Sequence, residues 1–507
     1  MTITILGLGP GSIDDLTLKA WRALEVAKFV YLRTNQHPCV PDLPEGPLYQ
    51  SFDYLYEKLD QFDQVYEAIC DKLIELAETE DLIYAVPGDP FVAESSTLLL
   101  RKKAQEKGID VEIISGLSFI EPMLSLIGLD ALSGLQLLDA LESLAFEYHP
   151  PINPQFPALI AQVYSPMVAS QIKLTLMNQY PDEWEVTLIH GAGTAQQRVE
   201  VCPLYEIDHS QHIDLLTSLF VPAKGPLSSF ESFQNTIAHL RSPEGCPWDR
   251  KQSHTSLAPY LLEETYEVLE AIEQDDPDAL MYELGDLMLQ IVLHTQIATE
   301  EGEFYMTDVI ENHLKKLIRR HPHVWGSVAV EGAEEVVSNW DDIKREEAAE
   351  KGIVRESALD GVPATFPALM TAHKYQAKAA KLGFDWDTIQ GVEEKLLEEL
   401  NEIKSERDIP KKIAEIGDLI FVLVNYIRWL GDTDAESVLR RTNAKFYNRF
   451  RFVEEQVQAQ GDKPMQEYSL AELDVFWDQA KLLEKEQHSA AGQIETLLDE
   501  DDDSDDE

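Results

Sequence analysis

An internal duplication narrows most what this 507-residue chain can fold into. "LLEETYE" at Leu261 returns as "LLEELNE" at Leu396, and "ELGDLML" at Glu283 returns as "EIGDLIF" at Glu415. Flanking pairs keep the same order: "PWD" at Pro247 and "DWD" at Asp385, Lys316/Arg320 and Lys445/Arg449, "WDDIK" at Trp340 and "WDQAK" at Trp477. Both copies carry apolar residues at helical spacing and almost no strand signal, so they read as two all-α units, residues 228–350 and 356–485. A structure repeated in sequence is expected to be repeated in space.

Upstream the pattern differs. Short β-rich runs ("TITILGLG", "KFVYL", "LIYAVPG", "VEIIS", "ALIAQVY", "EVTLIHG") alternate with helical stretches such as "LTLKAWRALEVA", which predicts an α/β domain over residues 1–222. The prolines and glycine of "VPAKGP" mark its end. The fold class is therefore multidomain, an α/β domain followed by two helical units.

Residues 486–507 end in "DEDDDSDDE" and are expected to be a disordered acidic tail. The formal charge of −51 opposes binding to a nucleic acid polymer. Cys39, Cys70, Cys202 and Cys246 show no CxxC spacing, the start has no basic leader, and no long apolar run occurs. A cytoplasmic location without membrane contact is expected.

On an α-helix Glu264 and Glu267 lie one turn apart on one side, with Glu263 adjoining, and Glu283 and Asp286 do the same on the next helix. A solvated acidic face would account for the first helix, whose other side carries Leu261, Leu262, Val268, Leu269 and Ile272. It does not account for the second, where Leu284, Leu287, Met288, Leu289, Ile291, Val292 and Leu293 cover most of the circumference. Only the stripe Glu283, Asp286, Gln290 and His294 is polar, and carboxylates on a largely buried helix need a partner. Glu415, Asp418 and Asn425 repeat the stripe among Ile416, Leu419, Ile420, Phe421, Leu423 and Val424. An all-carboxylate set suits Mg²⁺ or Mn²⁺, and Mg²⁺ so held recruits substrate phosphates. A nucleotide polyphosphate is the expected ligand.

E-x-x-E, a spacer, then E-x-x-D on paired helices resembles the MazG family of nucleoside triphosphate pyrophosphohydrolases. Glu264, Glu267, Glu283 and Asp286 fill the pattern in the first copy, and Glu399, Glu402, Glu415 and Asp418 in the second. "CPWDRKQSHTSLAPYLLEETYE", "RRHPHVWG", "NWDDIKREE" and "LGFDW" extend the likeness over about residues 228–485. The resemblance implies hydrolysis between the α and β phosphates of a nucleoside triphosphate. Metal ions would be held by the two quartets, and Glu398 or Glu263 would orient or deprotonate the attacking water. Lys445 and Arg449, or Lys316 and Arg320, would grip outer phosphates, or else form surface salt bridges.

Asn425 has Leu293 as its counterpart, and two-domain relatives generally place activity in the carboxy-terminal unit, so the second copy is expected to be the active one. Its spacer of twelve residues against fifteen puts its helix pairing in question. Trp248, Trp386, Trp340 and Trp477 would stack on a base or fill a core. The helical units are expected to form a homodimer, with an internal pseudo-dimer as the alternative.

At the amino terminus "GLGPG" followed by "DLTLKAWRAL" is similar to the tetrapyrrole (corrin/porphyrin) methylases. "YAVPGDPFVAE", "EIISGLSFIEPML" and "VTLIHGAGTAQQRVEV" carry the likeness over about residues 1–222. The resemblance implies S-adenosylmethionine between two α/β lobes, held at Gly7, Gly9, Pro10 and Gly11 and at Gly88, Asp89 and Pro90. Two other readings stay open: a methyltransferase whose helical half only dimerises, and a nucleotide sensor without turnover.

Overall fold

The structure, a computed structural model, describes residues 1–59, 61–145, 147–352, 356–431, 433–461 and 463–485; the acidic tail lies outside them. The chain divides into two compact units, Met1–Lys315 and Lys316–Glu507.

The first unit begins with two sheets. β1 (Thr2–Gly7), β2 (Phe29–Leu32), β3 (Leu48–Ser51), β4 (Leu82–Val86) and β5 (Asp110–Ile114) form a wholly parallel sheet in the order β3-β2-β4-β1-β5. β1 and β4 sit inside it, which is why "TITILG" and "LIYAV" read as nearly unbroken apolar runs. Ile3, Ile5, Tyr84 and Val86 face one core with Ile69 and Leu73 of helix Phe62–Ala77; Leu6, Ile83 and Ala85 face another with Ala20 and Leu24 of helix Leu18–Val26.

β6 (Gln136–Asp139), β7 (Ala158–Ala161), β8 (Glu185–His190), β9 (Arg198–Pro203) and β10 (Thr217–Val221) form a mixed sheet in the order β6-β7-β10-β8-β9. Only β6 and β7 pair in parallel. The strands β3, β6 and β10, and also β9, which appears only within the quoted "VTLIHGAGTAQQRVEV", were not among the β-rich runs read from the sequence. β3 is an edge strand with exposed Leu48, β6 is also an edge, and "TSLFV" of β10 is a buried centre, so the alternation that marks a half-buried strand is weak in each.

From Phe230 onward every α- or β-element among the described residues is an α-helix. In the first unit helix His254–Glu273 pairs with helix Pro277–Glu301, and a small core of Ile237, Leu257, Val292, Leu293, Ile297 and Met306 closes one end. In the second, helix Ile389–Ser405 pairs with helix Ile409–Leu430, with Ala368–Ala380 and Ala435–Gln460 alongside. Asp276 and Asp408 cap the second helix of each pair, each followed by a proline in the first turn where a missing N–H costs nothing. Both turns span three residues. The shorter spacer is absorbed by the first helix, which ends at Ser405, one turn after Glu402, but runs two turns past Glu267. Helix pairing is thus preserved in both copies.

One expectation is corrected. The second helix of each pair is not largely buried within its unit. Met281, Leu284, Met288 and Ile291 are exposed, and so are their counterparts Ile413, Ile416, Ile420 and Leu423. The 3-4-3 spacing lines them up as one open apolar stripe per copy. Sequence periodicity identified the apolar residues but not which of them the same chain covers.

Candidate functional site

The second hairpin brings its carboxylates together. Glu399, Glu402 and Glu415 each offer an oxygen within 4.8 Å of the others. Glu399 is 4% exposed; its Oε1 accepts from Lys395 Nζ at 2.8 Å, while its Oε2 is buried without a hydrogen-bond partner among the described residues. Desolvation, a hydrogen bond with Glu402 and the charges of Glu402, Glu399 and Asp418 raise the carboxyl of Glu415 above its ordinary range. Asp418 acts on this cluster electrostatically from an exposed position. Glu398 also points to Lys395, at 3.2 Å.

Lys395 escaped the reading of the sequence. Its signal is plain in retrospect: a lysine three and four residues before two glutamates on one helix reaches both.

The first hairpin repeats the cluster without the lysine, whose counterpart is Tyr260. Glu264, Glu267 and Glu283 each place an oxygen within 4.8 Å of the others. Desolvation comes first in raising the carboxyls of Glu264 and Glu283, and the neighbouring acids Glu267 and Asp286 add to it. Gln290, buried, donates to Glu264 at 3.4 Å and keeps its own Oε1 unpartnered. Glu263 is exposed beside this cluster. His294, on the same stripe, meets His254.

The cationic candidates stand differently. Arg449 gives Nε and Nη2 to Glu484 and lies over Trp477; Arg320 gives the same two nitrogens to Glu347. Lys445 and Lys316 are exposed; Lys316 and Arg320 belong to the second compact unit and the first quartet to the first. Asn425 is buried and accepts from Arg428 at 2.8 Å, and Arg428 also bonds Asp385 at 2.6 Å. Asn425 is therefore committed to an internal network in this conformation. Trp248 and Trp386 are exposed, while Trp340 packs edge-on to His321 and Trp477 packs on Phe446.

In the α/β domain the two glycine loops meet. Gly9 N donates to Gly88 O at 3.2 Å and Gly88 N returns a bond to Gly9 O at 2.8 Å. Gly9 and Gly88 adopt φ of +81° and +66°, a region costly for any other L-residue. A Cβ on Gly7 would lie 2.4 Å from Gly88 O and 2.7 Å from Gly116 N, so three loops at the C-terminal edge of β1, β4 and β5 share one close approach. A Cβ on Gly88 would meet only Ser118 Cα, at 3.9 Å, so the backbone there borders open space.

Asp89 accepts from Phe91 N and Gly116 N and ties the second loop to the third. Pro10 and Gly11 face the Gly191–Thr194 loop of the second sheet: a Cβ on Gly193 would strike Pro10, and one on Gly11 would strike Thr194. His37 and Gly116 were not singled out from sequence; buried His37 bonds Gly9 O through Nε2 at 3.0 Å. A single histidine in a loop carries no pattern.

Residues 2–208 match the tetrapyrrole (corrin/porphyrin) methylases, and residues 252–325 match the MazG nucleotide pyrophosphohydrolase domain. The chain is 41% identical over 499 residues to the uncharacterized protein YabN of Bacillus subtilis, covering 95% of this chain and 99% of that protein. It is 44% identical over 252 residues to the nucleoside triphosphate pyrophosphohydrolase/pyrophosphatase MazG of Thermotoga maritima, covering 50% of this chain and 95% of that one. The nucleoside triphosphate pyrophosphohydrolase of Escherichia coli K12 is 44% identical over 261 residues, covering 50% of this chain and 98% of its own.

Proposed function

The chain belongs to the bacterial family that joins a tetrapyrrole methylase domain to MazG nucleoside triphosphate pyrophosphohydrolase units, and on that premise we propose that its helical half hydrolyses nucleoside triphosphates to monophosphate and pyrophosphate with Mg²⁺. The observation that carries this reading is the unpartnered, buried Oε2 of Glu399 beside the oxygens of Glu402 and Glu415. An anionic oxygen withdrawn from water without a donor is costly unless a cation completes it. The donors are all hard oxygens, which fits Mg²⁺ or Mn²⁺.

Glu399, Glu402, Glu415 and Asp418 hold the metal in the second copy; Glu264, Glu267, Glu283 and Asp286 hold it in the first. The ion, when bound, offsets phosphate charge and lowers the pKa of bound water. Glu398 then orients the attacking water and accepts its proton at a carboxylate oxygen, with Lys395 fixing its approach. Glu263 has the same place in the first copy but no lysine. Lys445, exposed, would meet the phosphate tail, while Arg449 and Asn425 must exchange their present partners to do so. The second copy carries the turnover. Pyrophosphate release from each triphosphate with Mg²⁺ tests the reading: Glu415→Gln lowers it by about 10²–10³ and Glu283→Gln spares most of it. Loss only in Glu283→Gln would move the activity to the first copy.

The loops Gly7–Gly11 and Gly88–Pro90 hold S-adenosylmethionine against the open space beside Gly88. Homodimerisation covers the apolar stripes. The protein acts in the cytoplasm on free nucleotides rather than on nucleic acid polymers, consistent with its charge of −51 and with no described helix long and apolar enough to cross a membrane.

A further inference from the structure

A third cluster of metal-ligating side chains lies outside both quartets and contains a nitrogen donor. His254, Glu301 and Glu303 offer ligand atoms that all lie within 4.8 Å of one another. Each sits where its own helix disfavours a charge of its sign. Glu301 is the last residue of helix Pro277–Glu301, and Glu303 follows the Gly302 cap, so both carboxylates stand at the negative end of a helix dipole. His254 is the first residue of its helix, where an imidazolium is disfavoured. The neighbouring Glu300 has its own cation, Arg241, at 2.8 Å; Glu301 and Glu303 have none among the described residues.

A second observation concerns the other histidine. His254 Nδ1 and His294 Nδ1 are 2.7 Å apart, and the rings are parallel within 1°. That bond needs one N–H and one lone pair, and it leaves Nε2 as the uncommitted nitrogen of each ring. The Nε2 of His294 is buried and unpartnered. With Nδ1–H of His254 donated to His294, His254 presents Nε2 as a lone pair, the arrangement by which an outer partner orients a metal-bound imidazole.

We propose that His254, Glu301 and Glu303 form a site for a first-row transition ion, Zn²⁺ being the natural occupant, with His294 as the positioning residue behind His254. One imidazole and two carboxylates suit Zn²⁺, whereas Mg²⁺ avoids nitrogen. The ion joins the first residue of helix His254–Glu273 to the end of helix Pro277–Glu301, clamping the end of the hairpin opposite its Asp275–Asp276 turn. The first carboxylate cluster lies about 15 Å along the helix, ten residues at about 1.5 Å each. The second hairpin has Ile389 in place of His254, so the clamp belongs to the first copy alone.

The test titrates the full-length protein with Co²⁺, then Zn²⁺, under saturating Mg²⁺, which occupies the all-oxygen quartets. One equivalent of Co²⁺ is expected to give visible d–d absorption and to be displaced by Zn²⁺. His254→Ala and the surface variant Glu303→Gln lose that signal with circular dichroism unchanged, and His294→Phe weakens binding by about tenfold or more. Absence of Co²⁺ binding under Mg²⁺, or full retention in Glu303→Gln and His254→Ala, overturns the site.

Discussion

Glu399 shows at the scale of one residue how a site is set. Its two oxygens have opposite fates, one held by Lys395 and one buried alone, so the side chain is half compensated before any ligand arrives. Removing a negative oxygen from this cluster at Glu415 is expected to lower pyrophosphate release by about 10²–10³, the cost of losing one preorganised charge contact. A reduction below tenfold in Glu415→Gln would falsify its place in the metal set. Lys395→Met should reduce turnover and, in metal-free protein, lower the melting temperature, because Glu399 then loses its only cation among the described residues. Recovery of that stability on adding Mg²⁺ is the measurement to make.

His37 gives a pH prediction. Burial depresses its pKa below the ordinary value, opposed by its bond to Gly9 O. The unfolded chain therefore binds a proton that the folded chain refuses, so this contribution is present above about pH 6.5 and is lost as pH falls towards the folded value. Thermal melts of the protein between pH 7 and pH 5 should fall less steeply in His37→Gln than in the parent.

Elements rather than residues explain why the helical half differs from the α/β half. The parallel sheet buries both faces of β1 and β4, whereas each carboxylate hairpin keeps an apolar stripe open. Covering the exposed part of four such side chains is worth on the order of 1 kcal/mol each, while association costs about 4–15 kcal/mol. One stripe alone is marginal, and a dimer needs contributions from both copies. Ile416→Lys with Ile420→Lys should shift the protein to a smaller species in light scattering, leaving helix content intact. An unchanged mass would show that these stripes do not carry assembly. The three-residue deficit in the second spacer taught a related lesson, since helices lose a turn at an end more readily than they lose their pairing.

On the scale of the whole molecule, two ligands should act independently. S-adenosylmethionine at about a hundred times its dissociation constant adds about 2.7 kcal/mol to whatever unit binds it. It should raise the melting temperature equally in the parent and in Glu415→Gln, whereas Mg²⁺ stabilisation should be smaller in that variant. No shift with S-adenosylmethionine would count against the glycine loops as its site.

The order of periodicities along the chain was enough to show an α/β region followed by helices and to place acids one turn apart on neighbouring helices, because helix and strand spacing are local properties written residue by residue. The tertiary structure alone decided that Glu399 is buried with a stranded oxygen, that Arg449, Arg320 and Asn425 already have partners, and that the apolar stripes stay open. It also brought His254 to Glu301 and Gly7 to Gly88. Those facts depend on which distant segment packs against each face, and a pattern that repeats within one helix carries no record of its neighbour.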